Sequence, residues 1–138
     1  MCQSTARAEV LLPMDSTSPA MARRFAKSAG CTEHALELLD DALLLISELV
    51  TNSILHGGPP IVLAIECEEE GLHVRVRDGS PVAPVQRTAT EDDESGRGIS
   101  LVQLISDTWG VEPVADRLGS GKEIWFELRT KRSESTSG

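Results

Sequence analysis

The run TEHALELLDDALLLISELVTNSILHGG, from Thr32 to Gly58, constrains the fold of this chain more than any other stretch. Thr32 is a helix cap, apolar residues recur at helical spacing, and Gly57, Gly58 and two prolines stop the pattern. At about 100° per residue, Leu36, Leu39, Leu43, Ile46, Val50 and Ile54 share one flank of the helix. His34, Asp41, Glu48, Asn52 and His56 follow the border of that apolar arc. A polar stripe in that place is plain solvated surface unless something opposite it uses the groups.

The rest of the chain supplies strands to cover the helix. Residues 8–12, AEVLL, are apolar and bounded by Pro13, which predicts an edge strand. Ser18 as cap, Pro19 at the first helical position and Gly30 as stop predict a short helix, with Met21 and Phe25 inward. IVLAIECEEEGLHVRVRDGS reads as a hairpin of two alternating runs turning at Gly71. Its second run puts Leu72, Val74 and Val76 on one face and His73, Arg75 and Arg77 on the other, then ends at Asp78-Gly79-Ser80-Pro81. Residues 82–98 have no periodicity and predict a loop, followed by a short amphipathic helix in GISLVQLISDTW. A second hairpin is predicted with strands near 109–114 and 122–129. This order predicts an α+β two-layer sandwich: a largely antiparallel, mixed sheet with helices packed on one face. One domain is expected over residues 8–130, between a disordered start (1–7) and a flexible tail (131–138).

Composition removes several function classes. A net charge of −9 argues against nucleic acid, which needs clustered Lys and Arg, and against an anionic membrane surface. Aromatic residues are only 3%, so base stacking on aromatic platforms is not on offer. The cysteines, Cys2, Cys31 and Cys67, are odd in number and form no CxxC pair, which indicates neither a disulfide framework nor a zinc site. His34, His56 and His73 have no metal-ligand spacing. With no long apolar run and no leader, a cytoplasmic location is expected. GSGK at 119–122 suggests a P-loop, but that motif needs Gly where Asp116 stands and Ser or Thr where Glu123 stands.

Four pieces remain, in order: ELVTNSILHG on the long helix, VRVRDGSP ending a strand, GRGISL opening a helix, and GSGKEIWFEL in the last hairpin. Together they resemble the GHKL or Bergerat ATP-binding fold of gyrase, sensor histidine kinases and the small bacterial anti-sigma-factor serine kinases. Length and box order are most similar to the anti-sigma kinase branch. The resemblance implies ATP and magnesium as cofactors, and an ATP-dependent serine/threonine protein kinase. It makes Asn52 the magnesium ligand, through a neutral carboxamide oxygen. It makes Glu48, one turn earlier, the general base for an incoming hydroxyl. Asp78 accepts the hydrogen bond of adenine's exocyclic amine, choosing ATP over GTP. Gly96, Arg97, Gly98 and Ile99 bring backbone N–H groups, a guanidinium and a helix start to phosphate. The acidic Glu91, Asp92, Asp93 and Glu94 form the outer face of a nucleotide lid.

Two positions depart from the family pattern. Ser80 stands where a glycine is usual, two residues after the adenine carboxylate. Glu123 stands where a threonine usually follows the Gly-Lys pair and supports that carboxylate. A second carboxylate beside Asp78 is expected to repel it and lower adenine affinity, unless Glu123 swings out. The resemblance also implies protein partners, a sigma factor and an anti-sigma-factor antagonist phosphorylated on Ser, and a homodimer. Two other readings stay open: a non-catalytic module that sequesters its partner with weak or structural nucleotide binding, and a stand-alone histidine-kinase-like ATPase.

Overall fold

The alternation in LHVRVRD sets one sheet face toward the helices and one away from them. A computed structural model of the chain describes residues 7–29, 32–68, 70–80 and 101–130, the side chains of 32–36 excepted. In chain order the elements are β1 (Arg7–Leu12), α1 (Ser18–Ala29), α2 (Thr32–His56), β2 (Ile61–Glu68), β3 (Gly71–Asp78), β4 (Thr108–Asp116) and β5 (Gly119–Arg129). Residues 101–105 form a further helical turn ahead of β4. The five strands lie in the order β1-β2-β3-β5-β4. Every pairing is antiparallel, so the mixed character expected of the sheet is absent among the described strands.

The architecture is thus α+β, with α1 and α2 on one face of the sheet. Leu72, Val74 and Val76 of β3 and Ile124, Phe126 and Leu128 of β5 are buried under the helices. Among the described residues Phe126 is the largest fully buried side chain, and the core around it is aliphatic apart from Cys67, with Phe25 and Trp109 packed at its edge. α1 packs on α2 and β1, while α2 crosses β2, β3 and β5. Among the described residues no helix is long and apolar enough to cross a membrane.

The buried face of α2 is turned from the flank that spacing suggested. It is made by Leu38, Ala42, Leu45, Leu49 and Ser53, together with Ile46 and Val50. Leu43 and Ile54 lie at its edge, partly buried. Leucines occur around most of this helix, so the apolar pattern alone left the direction of the sheet undetermined. Glu48 and Asn52 remain on the border, both half-buried.

The start of α1 also differs from expectation. Ser18 is fully buried, and its hydroxyl donates back to the carbonyl of Pro13 rather than capping the helix. The first helical bond runs from the N–H of Met21 to the carbonyl of Thr17. Asp15 holds this corner by accepting from the Thr17 N–H at 2.8 Å and from its hydroxyl. Those two bonds hold the Asp15 carboxyl below its usual range.

The second hairpin is longer than predicted. β4 and β5 turn through Arg117 and Leu118, and Gly119 takes φ +105°, a backbone conformation that side chains disfavour. The outward sheet face carries a polar network in place of a core. His73 stacks on Trp125 with ring centroids 5.4 Å apart. Arg75 lies between Glu66 and Glu123, and Arg77 binds Asp116 and the carbonyl of Gly119.

Candidate functional site

Asp78 is the last residue of β3, and strand parity that buries Val74 and Val76 aims it at the helices too. It is only 2% exposed, which demands partners for its carboxylate. Among the described residues, three groups meet it. The Ser53 hydroxyl on α2 donates to Oδ2 at 3.1 Å. Lys122 Nζ on β5 donates to Oδ1 at 2.9 Å, and the Ser80 backbone N–H donates to the same oxygen at 2.9 Å. The carboxylate is therefore fixed from a helix, a neighbouring strand and its own turn.

Register decides which β5 side chain arrives. Asp78 lies opposite Lys122, while Glu123 lies opposite Arg77. Antiparallel partners share a face, so Lys122 points at the helices beside Asp78 and Glu123 points the other way. The expectation that Glu123 would crowd Asp78 is overturned: it sits on the outward face, with Arg75 Nε 3.9 Å away. The near neighbour is a cation, and the predicted repulsion is replaced by a buried ion pair.

Glycines let three segments meet here. A Cβ on Gly57, just past α2, would stand 2.5 Å from Asp78 Oδ2 and 2.7 Å from the Ser53 carbonyl. A Cβ on Gly121 would overlap the carbonyl of Asp78. The Gly79 N–H closes the corner by donating to the Gly58 carbonyl at 2.6 Å. Among the described residues Oδ1 receives two of these donors and Oδ2 one, and an ionised carboxylate only accepts. That chemistry fits a neutral N–H donor such as the exocyclic amine of adenine.

The other candidates stand as follows. Ser80 contributes its backbone N–H to Asp78. Glu48 and Asn52 are one turn apart on α2 and half-buried, and Asn52 directly precedes the Ser53 that touches Asp78, about 100° around the helix from it. An Asn carboxamide oxygen fits a magnesium ion that keeps most of its waters. Gly96, Arg97, Gly98 and Ile99, and the acidic run 91–94, lie outside the described residues. The helical turn that follows them is anchored by Val102, fully buried in the core.

Sequence reasoning missed Ser53 and Lys122, and both had a signal. Ile124, Phe126 and Leu128 alternate toward the core, which by parity includes Lys122 and excludes Glu123. Ser53 is a polar residue inside the buried arc of α2 and so required a partner.

Folding also assembles histidine and carboxylate groups that spacing kept apart. Glu68, His73 and Glu127 offer ligand atoms within 4.8 Å of one another on the outward face. His73 is already committed, however. Arg75 Nε donates to its Nε2 at 3.2 Å, which puts the ring proton on Nδ1, and Nδ1 donates to Glu127 at 3.1 Å. Glu127 is held below its ordinary range first by the Thr108 hydroxyl and then by His73. A concavity of about 590 Å³ opens on this same face between Arg75, Arg77 and Glu123, away from Asp78.

The family model described as a histidine kinase-like ATPase domain matches residues 12–127, nearly the whole described chain. No curated protein matches it significantly.

Proposed function

Because the chain belongs to the histidine kinase-like ATPase domain family, and so carries an ATP-binding domain, we propose that it is a regulatory protein kinase of the anti-sigma-factor type. The reading gives it ATP and magnesium, a small antagonist protein phosphorylated on Ser, and a sigma factor that it sequesters, in the cytoplasm and as a homodimer. The observation that supports it best is the buried carboxylate of Asp78, held by Ser53, Lys122 and the Ser80 backbone N–H. A base-reading group has to be fixed before its ligand arrives, and this one is fixed from three sides.

The bound magnesium nucleotide supplies the transferable γ-phosphoryl group. This chain's residues select and orient it. Asp78 accepts the adenine amine, and Asn52 offers its amide oxygen to the cation. Gly96, Arg97 and Gly98 supply N–H and guanidinium donors to phosphate. Glu48 takes the proton of the incoming Ser hydroxyl as its oxygen bonds to the γ-phosphorus and the bond to the β–γ bridging oxygen breaks.

Glu48→Gln tests this assignment, since it keeps size and helix propensity while removing the basic oxygen. ATP affinity should stay within a few-fold, and phosphotransfer from labelled ATP to the antagonist should fall about 10²–10⁴-fold. A variant that transfers at the wild-type rate removes Glu48 from the chemistry. Wild-type chain that hydrolyses ATP but labels no protein supports the stand-alone ATPase. Tight partner binding with no turnover supports the sequestering module.

A further inference from the structure

The opening of β5 carries a lysine where burial is costly. Lys122 is 7% exposed, and lysine is almost never buried to that degree unless paired. Its ammonium ends on Asp78 Oδ1, and that oxygen also receives the Ser80 N–H. Oδ2 receives the Ser53 hydroxyl and lies so close to Gly57 that a Cβ there would stand 2.5 Å from it. Among the described residues the two oxygens are thus unequal: Oδ1 receives two donors, from β5 and the turn, and Oδ2 receives one, from α2.

We infer that Lys122 is the positioning residue for base selection, holding Asp78 by Oδ1 so that Oδ2 meets a 6-amino group and refuses a 6-oxo group. The inference rests on the ATP reading above and names what makes that site discriminate. The ammonium does two things that a neutral side chain cannot. It balances the buried negative charge, and it keeps Oδ1 occupied so the carboxylate cannot rotate and offer either oxygen. Without it, the buried carboxyl is left uncompensated, and such a group tends to neutralise by taking up a proton. A carboxylic acid presents an O–H donor, which the carbonyl of a 6-oxopurine accepts. Discrimination is then lost even though the pocket keeps its shape. Glu123, on the opposite face, has no part in it.

The test compares ATP with inosine triphosphate, which exchanges the 6-amino group for 6-oxo and leaves ribose and phosphates unchanged. Titration calorimetry on the full chain with magnesium gives both affinities for wild type and for Lys122→Met, a substitution of similar length without the charge. Wild type should prefer ATP, and the variant's preference should shrink by about tenfold or more, equal to about 1.4 kcal/mol. The ratio of affinities is the readout because partial unfolding weakens both ligands by the same factor and cancels. A variant with the wild-type ratio overturns the inference. Should Lys122→Met not fold, Lys122→Gln, which keeps a neutral donor, takes its place. A smaller fall in the ratio is then expected, and an unchanged ratio is again contrary. Wild-type chain that binds neither nucleotide overturns the ATP reading and this inference together. Selective wild type with an equally selective variant overturns the role of Lys122 alone.

Discussion

Replacing Ser53 by alanine removes one oxygen atom from the most constrained corner of the molecule. Ser53 is 2% exposed, and among the described residues its hydroxyl is the side-chain donor to Asp78 Oδ2. A hydrogen bond to a charged group contributes about 1.5–3 kcal/mol. Its length, 3.1 Å, is at the long end for a hydroxyl donor, which places the expectation in the lower half of that range. The missing oxygen leaves almost no void, so the cavity contribution is small. Ser53→Ala should therefore lose about 1.5–2 kcal/mol, or roughly 5–10 °C in Tm for a chain of this size. Urea unfolding, followed by the fluorescence of Trp109 and Trp125 and by circular dichroism, measures it, with an unchanged denaturant slope expected. Ser47→Ala is the control, because among the described residues the Ser47 hydroxyl accepts from Arg23 at 3.2 Å in an exposed contact, and its loss should change stability by less than about 0.5 kcal/mol. Equal, mild effects of the two substitutions would refute the view that Ser53 holds the carboxylate.

The outward face predicts a pH dependence. Glu127 is held below its ordinary 4.5, chiefly by the Thr108 hydroxyl, so its contribution to stability is complete above pH 4.5 and lost as pH falls through the lowered value. Thr108→Val should destabilise the chain at neutral pH, with the difference from wild type shrinking in acid; a difference that stays constant from neutral pH to pH 3 is the contrary result. Asn52→Ala should abolish magnesium-dependent nucleotide binding with little change in melting temperature, since Asn52 is a half-buried border residue. A large fall in melting temperature would mark it as structural instead.

Much of the fold was legible because its signals are local. The stop of α2 at Gly57-Gly58 and the alternation of β3 each follow from a few neighbouring residues. The direction of α2 was not legible, because leucines surround the helix and only the sheet's position selects Leu38, Leu45 and Leu49 for burial. The strands of the last hairpin were drawn too short for a related reason: polar residues such as Asp116 and Ser120 continue an edge ladder without an apolar pattern. Asp78 could be named from the sequence, since a strand ending in Asp-Gly marks a corner. Its partners could not be read from box order, because the family pattern names a position after Gly-Lys while the physical neighbour is set by strand parity. Parity favours Lys122, and with it the site changes from two repelling carboxylates to an ion pair.

The direct test of the central claim, that the corner around Asp78 reads an adenine nucleotide, is calorimetric titration of the full wild-type chain with ATP and with GTP in the presence of magnesium. The account predicts saturable one-to-one binding of ATP and much weaker binding of GTP, with the preference removed in Asp78→Ala. Equal affinity for the two nucleotides, or no binding of ATP, would contradict it.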